Sequence, residues 1–393
     1  MTEHSRMSRP FAWGRRWWPL ALLGLAPLLV WWWPRRAPGA AVAEAQSHRL
    51  SGAAGVASVP ARREKLPGAP FDSTRLRGVS WVGGDSITAA DLAPLRRAHV
   101  TWIAQMPFGW QAGAAAPEVR VREERRPGHG GYWGEGDAGL FCTAQLARRY
   151  GIRTLLKPHV WVRGTWPGAI NMATPAEWDQ WFASYTSFLL RYARLAEAAQ
   201  MDGLCIGTEL LHATEPRHEK AWRALIRQVR RVYHGPLTYA ANWSGEYQQI
   251  RFWDALDYVG IQAYFPLSTA ENPPLDSLLR GWQPHLRALA AWQKKVKKPV
   301  VFTEIGYKTT ADAAAKPWEW PAPTAAFAAP DEATQARCYE AMFRACWDLP
   351  WLKGLFIWKW YPGLAPDGPA RRHADFTPQH KPAEAVLARW YGP

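Results

Sequence analysis

The sequence predicts an α/β protein built as a (β/α)8 barrel, the TIM-barrel fold, preceded by an amino-terminal membrane or signal segment and a disordered linker. Two observations carry the barrel prediction. Short apolar runs alternate regularly with longer amphipathic ones, and the apolar runs number eight, the count that closes such a barrel. Regular alternation also predicts a parallel sheet with right-handed crossovers. The 393 residues are enough for a barrel of about 250 residues with added loops.

The amino terminus has the pattern of a membrane segment. The 17 residues Trp17–Trp33 are apolar, end in tryptophans on both sides and are flanked by arginines. We predict that residues 1–36 form a signal anchor or signal peptide and that the rest of the chain is exported. It is then either held at the cytoplasmic membrane with the barrel outside, or secreted or periplasmic after cleavage near Ala43 or Ala45.

Residues 37–70 are rich in Ala, Gly, Pro, Ser and Arg and have too few large apolar side chains to form a core, which predicts a disordered linker. Residues 71–393 form the predicted barrel domain. The net charge is +15, of which residues 1–70 carry +7, leaving +8 over 323 residues. No basic stripe interleaved with aromatic residues stands out, so nucleic acid is not a predicted partner.

The predicted barrel strands, in chain order, are Arg77–Val82, Val100–Met106, Arg153–Val160, Gly203–Thr208, Leu237–Ala241, Tyr258–Ala263, Pro299–Thr303 and Gly354–Trp358. The predicted helices are Ala89–Ala98, Leu140–Tyr150, Pro175–Ala199, Lys220–Tyr233, a short one near Phe252, Leu275–Lys297, Glu332–Trp347 and Pro382–Trp390. Two insertions, Gln111–Asp137 and Lys308–Pro330, follow strands, and we expect both to lie over the carboxyl-terminal face and shape a cleft.

The four cysteines show neither the spacing of a zinc site nor a close histidine. Cys205 lies within an apolar run, which predicts a small core residue. We predict no required metal, cofactor or disulfide.

Two carboxylates follow apolar runs that are typical of buried parallel strands. Lys298–Lys308 (KPVVFTEIGYK) leads into Glu304, and Gly203–Leu211 (GLCIGTELL) leads into Glu209. Each alone could be a residue near a helix cap or a solvated turn residue. Together, at strand ends that meet on one face, they are the minimum set for acid/base chemistry on a glycosidic bond.

Other strand ends supply polar and aromatic side chains suited to a sugar. An amide or imidazole can bond hydroxyls, a tyrosine can orient a carboxylate, and flat aromatic faces stack on sugar rings. The alternative of a core residue with its own partner stays open for several of them. The candidate substrate-binding residues are His159, Asn242, Trp243, Tyr264, Trp358 and Trp360.

The motifs LLKPHV, IGTEL, YAANW, DYVGIQAYFP, VFTEIGY and WKWYP resemble, in order and spacing, glycoside hydrolase family 113, a group of β-mannanases among the retaining (β/α)8 barrel glycosidases. The resemblance covers about Leu76 to Tyr391. It implies that Glu209 is the acid/base and Glu304 the nucleophile, and that other strand-end residues hold the sugar. Thr208 stands where most of the wider group has the asparagine that bonds the sugar 2-hydroxyl, and family 113 resembles this chain there.

We therefore expect a monomeric retaining β-glycoside hydrolase, an endo-β-1,4-mannanase that acts on mannan or mannooligosaccharides by double displacement. The partner is a β-linked polysaccharide or oligosaccharide, with membrane contact through the amino-terminal segment. The alternative is a non-catalytic carbohydrate-binding or envelope-assembly protein on the same barrel, since fold alone does not carry activity. The presence of both carboxylates favours the enzyme.

Overall fold

The computed structural model describes residues 75–121, 133–321, 330–368 and 374–393, all of which belong to one compact unit. The predicted signal anchor and linker lie outside the described residues. In the described part of the chain, no helix is long and apolar enough to cross a membrane.

Eight parallel strands of the described residues close into a barrel, as predicted. Their order around the barrel follows the chain, and the last strand pairs with the first. The strands are β1 (Leu76–Trp81), β2 (Trp102–Gln105), β3 (Phe108–Gln111), β4 (Arg120–Val121), β5 (Arg153–Leu156), β6 (His159–Val162), β7 (Gly203–Thr208), β8 (Leu237–Asn242), β9 (Val259–Gln262), β10 (Val300–Ile305) and β11 (Leu352–Trp360). Strands β3, β4 and β6 form a separate sheet; the other eight form the barrel.

Helices follow the barrel strands at the predicted places. They are α1 (Ala89–Arg97), α2 (Asp137–Arg149), α3 (Pro175–Ala198), α4 (Glu219–Arg230), α5 (Glu246–Gln249), α6 (Leu275–Val296), α7 (Glu332–Cys346) and α8 (Pro382–Tyr391). The predicted short helix near Phe252 is a 3-10 turn at Trp253–Ala255, preceded by α5. At the start of α3, Thr174 and Glu177 form a capping box around Pro175, so local sequence sets this helix start.

The third predicted strand is wrong at its end. Arg153–Val160 divides into β5 and β6, and β6 leaves the barrel to pair with β3. The division falls at Pro158, and the matching division between β2 and β3 falls at Pro107. Proline has no N–H for the ladder, so each barrel strand ends before it. His159 consequently begins an extension beyond the barrel rather than ending a barrel strand.

The barrel interior is packed with apolar side chains, and a larger core fills the space between strands and helices. Cys205 is fully buried among the apolar side chains of the barrel interior, which confirms its prediction as a core residue. Close packing also explains Gly78, where a Cβ atom would lie 2.4 Å from the ring of Phe356. This closed interior leaves the carboxyl-terminal mouth as the place for chemistry.

Candidate active site

Both carboxylates lie next to a register shift between neighbouring barrel strands. From Cys205 to Thr208, β7 advances three residues while β8 advances two, from Thr238 to Ala240. Strand β10 likewise has one extra residue relative to β9 immediately before Glu304. Bulges of this kind bend a strand and redirect the side chains next to it. The regular alternation of side chains between the two faces of each strand is therefore interrupted next to Glu209 and Glu304.

Glu209 directly follows β7 in a left-handed backbone conformation, with φ of 51°. This conformation costs a non-glycine residue about 1–3 kcal/mol and persists where surrounding contacts hold it. Two hydrogen bonds hold it here: the Glu209 N–H donates to the Ala240 carbonyl at 2.9 Å, and the Leu210 N–H donates to the Tyr239 side-chain hydroxyl at 2.7 Å. The turn that carries Glu209 is thus tied to β8 on both sides.

Glu304 is buried, and three side chains converge on its carboxylate. The Lys157 Nζ lies 2.5 Å from Oε1, the Tyr264 hydroxyl donates to Oε2 at 2.9 Å, and His159 Nε2 lies 3.7 Å from Oε1. Burial acts to raise the pKa of Glu304, but the effects that lower it, of which the positive charge of Lys157 is the largest, together hold that pKa below its ordinary value. Glu304 is therefore ionised at neutral pH.

Glu209 has the opposite electrostatic setting. Burial, followed by the negative charges of Glu304 and Glu246, raises its pKa to about 8, although the Asn242 amide donates to Oε1 at 2.8 Å and acts the other way. Glu209 therefore keeps its proton at neutral pH. Two carboxyl groups whose surroundings separate their pKa values in this way can serve as a proton donor and a nucleophile.

Lys157 is the part of the site that sequence reasoning missed. Its side chain is fully buried, and Nζ also donates to the Thr303 carbonyl at 3.0 Å. The signal was present in the motif LLKPHV, because a lysine within an apolar run requires a partner when buried. Attention there went to His159 instead.

His159 lies beside the carboxylate as a neutral imidazole. Burial, and then the charge of Lys157, lowers its pKa to about 3. Its ring packs against Phe108 with centroids 5.4 Å apart, and among the described residues its Nε2 makes no hydrogen bond. A neutral histidine with a spare ring nitrogen can bond a sugar hydroxyl.

The predicted tryptophans separate into two groups. Trp243 and Trp358 are partly exposed at the ends of β8 and β11, and the peptide bond after Trp358 is cis. Trp360 is 1% exposed and belongs to the apolar core, so the structure does not place it with the partly exposed tryptophans of the mouth. Trp358 and Trp360 are two positions apart, which would place both on the same side of a regular strand, but the register of β11 against β1 shifts between Ile357 and Trp360.

The second insertion reaches the mouth, as predicted. Trp318 packs on Trp243 with ring centroids 5.1 Å apart, and the Lys359 ammonium lies 4.4 Å from the centroid of the Trp320 ring. Trp318 and Trp320 remain 42% and 47% exposed, which leaves aromatic surface beside the site. The described part of the first insertion adds β4 to β3; residues 122–132 lie outside the described residues.

A closed (β/α)8 barrel that brings a protonated and an ionised carboxylate to the ends of its fourth and seventh strands has the fold and site of a glycoside hydrolase. The family model of Glycoside Hydrolase Family 113 matches residues 80–381. The chain belongs to glycoside hydrolase family 113, which confirms the resemblance seen in the sequence motifs.

Solved structures agree. The GH113 β-mannanase AaManA from Alicyclobacillus acidocaldarius, in complex with ManMIm, is 30% identical with a TM-score of 0.69, and the alignment covers 82% of this chain and 99% of that one. A GH113 β-1,4-mannanase is 28% identical with a TM-score of 0.68, covering 81% and 99%. The β-glucuronidase from Ruminococcus gnavus, at 12% identity, a TM-score of 0.52 and coverage of 81% and 50%, shares the fold. No curated protein sequence matched the chain.

Proposed function

We propose that this protein is a retaining endo-β-1,4-mannanase that hydrolyses mannan or mannooligosaccharides by double displacement. Support comes from the family and from two similar structures that are β-mannanases. The observation that carries the proposal is the opposite protonation of two carboxyls in one mouth: Glu209 with a pKa raised to about 8 and Glu304 with a lowered pKa. Glycosidic bond cleavage requires this combination of an acid and an ionised carboxylate, and the resemblance to retaining barrel glycosidases supports Glu304 as the nucleophile.

In the first step, the Glu304 carboxylate attacks the anomeric carbon while Glu209 gives its proton to the glycosidic oxygen. The leaving sugar departs as an alcohol, and a glycosyl ester forms on Glu304. The hydrogen bond from Tyr264 restrains one carboxylate oxygen, Oε2, and Lys157 contacts the other, Oε1. Both contacts fix the carboxylate for attack.

In the second step, Glu209 is now ionised and takes a proton from water, which attacks the anomeric carbon and breaks the ester to Glu304. The sugar is released with the configuration it began with. The Lys157 ammonium stabilises the departing Glu304 carboxylate, so the same ion pair assists both steps.

Residues around the carboxyls bind the sugar. We assign hydroxyl recognition to His159 and Asn242 and ring stacking to Trp243 and Trp358, because their polar atoms or faces lie at the same mouth.

We propose further that the enzyme works outside the cytoplasm, because residues 1–36 combine flanking arginines with a tryptophan-bounded apolar run. The proposed place is the outer side of the cytoplasmic membrane, or the medium or periplasm after cleavage. A β-linked polysaccharide is too large to cross a membrane unaided, which agrees with this location.

The proposed activity is tested by hydrolysis of mannan, glucomannan, cellulose, xylan and galactan with the purified protein. We expect release of short mannooligosaccharides and a rapid fall in the viscosity of soluble mannan, since endo action cuts within chains. Glu304→Gln serves as the matched inactive control. Release of reducing sugar only from cellulose, xylan or galactan would contradict the mannan assignment.

A further inference from the structure

Glu246 is a buried carboxylate beside the site, and it lies in a helix rather than at the end of a barrel strand. It begins α5, after Gly245, whose φ of 92° turns the chain into that helix, and its side chain is 0% exposed. A buried carboxylate requires compensating partners. The cost of placing a charge here suggests a role beyond starting a four-residue helix.

Three donors meet the carboxylate. Oε1 accepts from the Tyr239 hydroxyl at 2.6 Å and from the Thr214 hydroxyl at 3.0 Å, and Oε2 accepts from the Asn242 N–H at 2.6 Å. A carboxylate with only donors around it is satisfied in its ionised form.

The partners of Glu246 lead to Glu209 by two routes. Through Tyr239, whose hydroxyl also accepts the Leu210 N–H, Glu246 is linked to the strained turn that carries Glu209. Through Asn242, whose backbone it holds, Glu246 is linked to the amide that bonds Glu209 Oε1 at 2.8 Å. The backbone and the carboxyl of Glu209 are thus both restrained by one anion.

The route through Tyr239 is rigid. The Tyr239 ring is fully buried and packs edge-on against Trp222, Phe252 and Trp253, with centroids 5.4, 6.0 and 6.2 Å away. A hydroxyl on a ring held in this way has little freedom to follow a displaced partner. A displacement of Glu246 would therefore disturb the hydrogen bond between the Tyr239 hydroxyl and the Leu210 N–H.

We propose that Glu246 is a positioning residue for the acid/base, an ionised anchor that fixes the turn of Glu209 and its Asn242 contact. This role rests on the proposed function. The groups whose charges act on Glu209 are Glu304, Glu246 and Lys157, with the Tyr264 hydroxyl also within electrostatic range. Among them, Glu246 combines a negative charge with a hydrogen-bonded path to Glu209.

The negative charge of Glu246, like its hydrogen bonds, favours the role of Glu209 as an acid. Burial raises the pKa of Glu246 to about 7, against the pull of its three hydrogen bonds, and Glu209 has a pKa of about 8. The negative charge of ionised Glu246 raises the pKa of Glu209 and so extends the pH range over which Glu209 is an acid.

The test is Glu246→Gln in the full-length protein, because the amide keeps the size and one acceptor oxygen while the charge is removed. We expect kcat/KM on mannohexaose to fall about tenfold or more, with the alkaline limb of its pH profile moved to lower pH. On 2,4-dinitrophenyl β-mannoside, whose leaving group departs without a proton, kcat/KM should change less than about threefold.

Tyr239→Phe provides a second variant that preserves the packed ring and removes the hydroxyl between Leu210 and Glu246. It should lower kcat/KM on mannohexaose and spare the activated mannoside. The matched control is Glu384→Gln, since Glu384 accepts the His380 N–H at 2.5 Å near the start of α8 and touches no site residue described above. Both substrates should be cleaved at the unchanged rate by the control.

Equal losses on both substrates, or an unmoved alkaline limb, would overturn the positioning role. If the wild-type protein cleaved both substrates and Glu246→Gln cleaved them equally well, the role of Glu246 would be overturned while the proposed function would stand. If the wild-type protein cleaved neither, the proposed function would fail, and the role of Glu246 with it.

Discussion

Lys157 and Glu304 form an ion pair closed to solvent: Nζ lies 2.5 Å from Oε1, and the two side chains are 0% and 6% exposed. The residues are 147 positions apart and meet because the barrel closes. The ammonium offsets the desolvation of the carboxylate and keeps it ionised, which a nucleophile requires. The same ion pair therefore stabilises the folded barrel and keeps the proposed nucleophile ionised.

Removing the lysine should destabilise the fold. Lys157→Met leaves Glu304 buried without its partner, and we expect the free energy of unfolding to fall by about 3–5 kcal/mol. The double variant Lys157→Met with Glu304→Gln should regain most of that loss, because no unpaired charge remains. Urea titration followed by tryptophan fluorescence measures both values.

The control for this prediction is Lys308→Met. Lys308 is also buried, with Nζ 3.3 Å from Asp312 Oδ2, but the Asp312 side chain is 48% exposed and can be solvated. Its loss should cost about 1 kcal/mol or less in ion pairing. A Lys157→Met variant no less stable than Lys308→Met would contradict the buried-pair explanation.

The two catalytic carboxyls should separate by substrate. Glu209→Gln and Glu304→Gln should each lower turnover of mannan by at least about 10²–10⁴-fold with unchanged circular dichroism, because each removes a reacting group. With an activated aryl mannoside, Glu209→Ala should keep glycosylation and be rescued by azide, whereas Glu304→Gln should stay inactive. Identical behaviour of the Glu209 and Glu304 variants on both substrates would refute the assigned roles.

The pH profile of kcat/KM on mannan should be bell-shaped. Activity needs Glu209 protonated, and its pKa is raised to about 8, so the rate should fall as pH rises through about 8. It also needs Glu304 ionised, and since that pKa is lowered, the acid limb should lie below the ordinary value of 4.5. On an activated aryl mannoside, the alkaline limb should be lost, because no proton donor is needed.

The stereochemical outcome should be retention. The first-formed product of a β-linked substrate should carry a β-anomeric proton in NMR spectra recorded before mutarotation, as the Glu304 ester intermediate requires. An initial α-anomer would indicate direct attack by water and would overturn the roles of Glu209 and Glu304 together.

The amino-terminal segment should decide the location of the enzyme. If residues 1–36 remain as a signal anchor, fractionation should place the full-length protein in the membrane, with the barrel accessible to protease from outside. A fully soluble mature protein that begins near Glu44 or Gln46 would establish a cleaved signal instead.

Much of the barrel followed from local pattern. Apolar runs and capping residues act over a few positions, so eight strands, their helices and the strand ends at Glu209 and Glu304 could be predicted from the sequence. Pro158 also carried a local signal, the loss of a ladder N–H, that explains why the third strand divides. The motifs were enough to indicate the family.

Tertiary structure decided which side chains meet. Lys157 reaches Glu304 because barrel closure brings together residues 147 positions apart, and Glu246 reaches the turn of Glu209 through Tyr239 because β8 lies beside β7. Trp360 and Trp358 look alike in sequence, yet one is core and the other lies at the mouth. Protonation states depend on burial and nearby charge, so the acid and the nucleophile became distinguishable on physical grounds only once the chain had folded.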